Sequence, residues 1–91
     1  MNNSVQDTLN ERGNRYGDFA DHASIAQNLQ RVMRAVPAWE GNLSDSQRQA
    51  LTVIADKIAR ILNGDPNYAD NWHDIQGYAK LVEDRLSKSK E

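Results

Sequence analysis

Apolar residues in this chain recur at three- and four-residue spacings, and no stretch alternates apolar with polar as a half-buried strand would. The pattern predicts four helices. Ser4 can cap a short first helix reaching about Glu11, with Val5 and Leu9 on one face. Gly13 and Gly17 then bracket a turn, Arg12-Gly13-Asn14-Arg15-Tyr16-Gly17-Asp18. A second helix follows from Asp18 or Phe19 to Ala35, striped by Phe19, His22, Ala26, Leu29 and Met33. Pro37 ends it, because proline lacks the amide hydrogen and restricts the residue before it. Pro37 to Asn42 reads as a loop centred on Trp39.

Ser44 or Asp45 caps a third helix with Leu51, Ile54, Ile58 and Ile61 on its core face, and Gly64-Asp65-Pro66 stops it. The last helix starts near Asp70 or Asn71 and reaches about Leu86, presenting Trp72, Ile75, Ala79 and Val82. The expected fold is all-α: a compact helical bundle of a short N-terminal helix and three longer helices. Residues 1–86 form a single helical domain, with residues 87–91 as a flexible polar tail.

Length and composition narrow the function. At 91 residues a chain buries only roughly 60% of its unfolded surface, so self-association as a homodimer is expected, through the broad apolar faces of the second and last helices. There is no cysteine, which removes disulfides, thiol catalysis and cysteine-ligated zinc. The net charge of -2 and pI near 5.6 argue against a nucleic-acid partner, which selects a basic stripe. No apolar run is long enough to span a bilayer and no leader pattern stands at the N-terminus, so a cytoplasmic protein without a membrane partner is expected.

Several residues are more specific than a bundle requires. Arg12 and Arg15 flank the glycine turn and could fork onto a phosphate, or face solvent while Tyr16 and Phe19 anchor the connection. Lys57 and Arg60 share one side of the third helix, and Asp56 lies four residues before Arg60. Asp70 and Asp74 sit one turn apart and could share Mg²⁺, pair with Lys57 and Arg60, or in the case of Asp70 simply cap the helix. Gly77 within that helix suggests a close helix crossing. His22 and His73 lack any zinc-ligand spacing and read as polar residues at the edge of apolar stripes. Tyr16, Trp39, Tyr68 and Trp72 are the candidate contacts for a protein partner.

The ordered blocks Arg12-Gly13-x-x-Tyr16-Gly17-Asp18-Phe19, Lys57-Ile58-Ala59-Arg60-Ile61-Leu62 and Asp70-x-Trp72-x-Asp74-Ile75-x-Gly77-Tyr78-Ala79 resemble a family of small, all-helical phage- and prophage-encoded proteins of unknown function. That resemblance implies residence in a bacterial host cell. More distantly, the last two blocks look like phage helical domains associated with nucleotide metabolism and the all-α nucleoside triphosphate pyrophosphohydrolases. Those enzymes hold Mg²⁺ between acidic residues of neighbouring helices. Carried over, Asp70 and Asp74 become the acidic pair, Asp56 a third metal ligand, and Lys57 and Arg60 phosphate contacts. The departure is on the preceding helix, where Asp56-Lys57-x-x-Arg60 stands in place of a Glu-x-x-Glu pair. The leading expectation is therefore a small interaction protein that binds a protein partner stoichiometrically, without cofactor or catalysis. The alternative is nucleotide-phosphate binding at Arg12, Arg15, Lys57 and Arg60, or Mg²⁺-dependent pyrophosphohydrolase-like activity.

Overall fold

Five helices form among residues 4–89, which the computed structural model describes: α1 (Ser4–Tyr16), α2 (Phe19–Arg34), α3 (Ala38–Gly41), α4 (Asp45–Asn63) and α5 (Ala69–Ser89). The all-α class stands, but the expected short helix plus three longer ones does not. The first helix has 13 residues and passes straight through Gly13, and the Gly17 amide donates to the Gly13 carbonyl at 2.9 Å. Only Gly17, at φ 80°, takes the left-handed conformation that ends a helix among the described residues. Gly13 is thus a helical residue in open space, misread as a turn because glycine permits both.

The second correction lies at Pro37. The expected loop contains the one-turn α3, with Pro37 at its N-cap in helical geometry (φ -59°, ψ -29°). Proline's fixed φ ends one helix and is already set to begin another. Buried Trp39 holds this turn in place, and the Arg48 guanidinium donates to the Trp39 and Leu43 carbonyls at 3.0 and 2.8 Å.

The longer helices have readable starts. Asp18 Oδ2 accepts from the Ala20 and Asp21 amides at 3.1 and 3.3 Å, capping α2. Ser44 and Gln47 form a reciprocal capping box on α4, at 3.1 and 2.8 Å. α4 is the central element, packed by α5 on one side and α2 on the other. α1 lies against α4 and α2, and α3 against α2, while α2 and α5 share no comparable interface.

The result is an open helical bundle, not the compact one expected. Its radius of gyration is 15.7 Å, where a compact chain of this length gives about 12 Å. The buried apolar core consists of Trp39 and the small residues Ala26, Ala50, Ala55 and Ala59. Alanine lets helix axes approach closely but removes little apolar area from water. Gly77 plays no such part: a Cβ there would meet nothing within 4 Å, so the expected close crossing is absent at that residue. α5 continues past Leu86 to Ser89, and the last two positions of the expected tail lie outside the described residues. No described helix is long and apolar enough to cross a membrane.

Candidate functional site

The three sequence blocks meet at one end of the molecule, where α1 ends, α2 begins, α4 ends and α5 begins. Backbone contact sets this junction. The Asp65 amide donates to the Arg15 carbonyl at 2.6 Å, and Asn63 Nδ2 donates to the carbonyls of Tyr16 and Asp18 at 2.8 and 2.9 Å. A Cβ on Gly17 would stand 2.1 Å from the Asn63 carbonyl oxygen, and one on Gly64 would stand 2.0 Å from that of Arg15. Two glycines therefore let the α1–α2 turn and the end of α4 touch main chain to main chain.

Side chains stack above that contact in a chain of alternating charge and aromatic rings. His22 Nε2 and Asp56 Oδ1 lie 2.9 Å apart, and Arg60 Nε donates to Asp56 Oδ2 at 3.1 Å. The Arg60 guanidinium lies over the Tyr16 ring at 4.6 Å, and Tyr16 meets Tyr68 edge-on at 6.3 Å. Arg15 covers Tyr68 at 4.5 Å and donates to its hydroxyl at 3.0 Å. The hydroxyl in turn donates to Asp70 Oδ2 at 2.8 Å, and that bond, with desolvation and the carboxylate's charge, raises the Tyr68 pKa above its ordinary value. Arg15 is also paired with Glu11 at 3.1 Å.

Lys57 makes a separate pair. Its ammonium meets Asp74 Oδ2 at 2.9 Å, and that hydrogen bond, then the charge behind it, holds the Asp74 carboxyl below the usual carboxylate range. The acidic candidates are thus divided. Asp56 faces His22 and Arg60, Asp70 faces Tyr68, and Asp74 faces Lys57. Among the described residues no three carboxylate or imidazole side chains group as metal ligands, so the acids as placed do not fit a shared Mg²⁺.

The aromatic candidates also separate. Trp39 is 6% exposed at the far end of the bundle, beneath Arg34 at 5.8 Å, and offers little surface to a partner. Tyr16 and Tyr68 are half-buried within the stack. Trp72 is half-exposed, with its indole N–H donating to the Pro66 carbonyl at 2.8 Å. Beside the stack, Leu9, Arg12, Tyr16, Phe19, His22 and Arg60 line a groove of about 500 Å³.

Three residues take positions that the sequence pattern does not predict. Asn63 clamps the junction, and only its place before Gly64 hinted at a terminus with special geometry. His22 was read as an edge residue, although it is buried against a carboxylate that lies 34 positions along the chain. Asn71 is 1% exposed and its Nδ2 has no protein partner. Nothing in the sequence distinguishes it from a solvated helix-start residue.

A family profile matches residues 2–86, described as a domain of unknown function (DUF6378). The chain belongs to this family. No curated protein and no solved structure shows a significant match. The matched span of this DUF6378 chain contains all three blocks, and with them the glycine contact, the arginine–tyrosine stack and both carboxylate pairs.

Proposed function

We propose that this DUF6378 chain is a stoichiometric binding protein of phage or prophage type, acting on a protein partner in the cytoplasm of a bacterial host and not as an enzyme. One observation carries the reading. The charged groups of the junction are engaged with one another, while large apolar side chains such as Val32, Leu62 and Trp72 remain outside at 71, 65 and 51% exposure. Extended apolar surface is a feature of association, and paired charges are a feature of scaffolding. The origin and the compartment rest on the resemblance carried by the three blocks.

A second reading, nucleotide-phosphate binding, draws support from the groove between α1 and α2. Tyr16 and Phe19 offer rings there, and Arg12 and Arg60 offer guanidiniums, in a volume within the range of small-molecule sites. Amide chemical shifts discriminate between the two. The full chain titrated with Mg²⁺ and a nucleoside triphosphate should give no saturable response at Arg12, Tyr16, Phe19 or Arg60. A saturable, metal-dependent response clustered on those residues overturns the binding-protein reading and calls for a turnover assay.

A further inference from the structure

The alanine core is too thin for this chain to close on itself. A folded monomer of 10.3 kDa exposes about 5,400 Å², whereas this chain exposes 6609 Å². Large apolar side chains contribute to that surplus: Leu9 and Phe19 line the groove beside α1 and Leu81 lies beside His73 and Asp74, while six others share one face. Residues two apart on a helix point roughly 200° from each other. Ile58 and Leu62 therefore lie across α4 from Asp56 and Arg60, and Trp72 lies across α5 from Asp74. On α2, Val32 sits roughly 140° round from Phe19, which lines the groove beside α1.

The layer formed by α2, α4 and α5 thus has two unlike faces. One carries α1 and the polar junction. The other carries Val32, Leu51, Ile58, Leu62, Trp72 and Leu86, exposed at 71, 38, 37, 65, 51 and 47%. These six side chains present on the order of 600 Å², against the ~800 Å² each partner contributes to a standard stable interface.

We propose that a second copy of this chain covers this face, with the two α4 helices packed antiparallel about a twofold axis. The inference rests on the reading that the chain works through apolar contacts, and it names the first partner. A twofold interface must be self-complementary. The α4 stripe meets that demand: inverted on itself, it sets Leu51 against Leu62 of the second copy and Ile54 against Ile58 of the second copy. No charged residue interrupts the stripe, so no like charges meet at the axis. Covering the face also returns much of the surplus exposed area, and it joins three incomplete apolar stripes into one core.

Sedimentation equilibrium of the full chain should give twice the 10.3 kDa chain mass, and its melting temperature should rise with protein concentration. The chain has no cysteine, and Leu51 and Leu62 stand eleven residues apart on one helix, roughly 16 Å, beyond the ~7 Å reach of a disulfide. Oxidation of a Leu51→Cys/Leu62→Cys variant should therefore give a covalent dimer and no internal bridge. Leu62→Glu should give the single-chain mass. Should that variant not fold, Leu62→Ala should still weaken dimerisation tenfold or more. A wild-type protein of single-chain mass with a concentration-independent melting temperature overturns the proposal, as does a dimer that Leu62→Ala leaves unweakened. A monomeric wild type strikes self-association alone, while metal-dependent nucleotide shifts strike the binding-protein reading alone.

Discussion

Gly17 and Gly64 decide whether the junction can exist, because each replaces a side chain with the backbone of another segment. An added methyl at either would fall inside contact distance of a carbonyl, and Gly17 also holds a left-handed φ of 80°. Gly17→Ala and Gly64→Ala should each destabilise the fold by about 2–4 kcal/mol, read from the urea midpoint at unchanged m-value. At Asp74 the governing effect is electrostatic. Lys57 depresses its pKa in the folded chain, so the unfolded chain binds the proton more readily. The stabilisation is present above the unfolded value and is lost as pH falls through the folded one. Asp74→Asn should lower the neutral-pH melting temperature and flatten its decline as the pH falls below the ordinary carboxylate range, in melts followed by circular dichroism. An unchanged acid limb would assign that decline to other carboxylates.

Helices in this chain are set by their ends more than by their middles. Ser44 closes a capping box, and Ser44→Ala should remove about 1 kcal/mol in denaturant unfolding. Gly13 and Gly77 stand in helices with nothing near an added Cβ. Replacing either by alanine should stabilise the protein by about 0.5–1 kcal/mol, and a loss of stability would show that something packs there in solution. The same contrast explains what the sequence could disclose. Capping residues and the Gly64-Asp65-Pro66 stop act through neighbours within a few positions, so α2 and α4 are legible nearly to the residue, whereas α5, with no such stop signal after Leu86, runs three residues further than its pattern indicates. Gly13 and Pro37 misled because each is compatible with two local conformations, and contacts from elsewhere choose between them. Of the junction, the Asp56–Arg60 pair was legible because it lies within one helical turn, and the Lys57–Asp74 pair was one of several pairings left open. The bond between His22 and Asp56 and the Asn63 clamp span 34 and more than 40 positions. Their formation depends on how α1 and α2 dock on α4, which periodicity does not encode.

At the scale of the whole molecule, stability is distributed very unevenly. α4 is packed on two sides, and Ala55 and Ala59 at its centre are 3 and 0% exposed. α1 contains no buried residue and is held at its C-terminal end, through Arg15, Tyr16 and the Asn63 amide. Local opening of α1 therefore uncovers little apolar area, whereas opening α4 dismantles both of its neighbours' interfaces. Native-state hydrogen exchange should show amides at the centre of α4 exchanging only through global unfolding, and those of α1 before Arg12 exchanging orders of magnitude faster. Asn63→Ala should extend that fast exchange through Tyr16 without changing the order of protection in α5. Because the proposed twofold contact runs along α4, the slowest amides should also be the ones whose protection rises with protein concentration, while α1 stays indifferent to it. Protection of α1 equal to that of α4 would contradict this distribution, and would mean that the groove beside Phe19 is closed by something in solution.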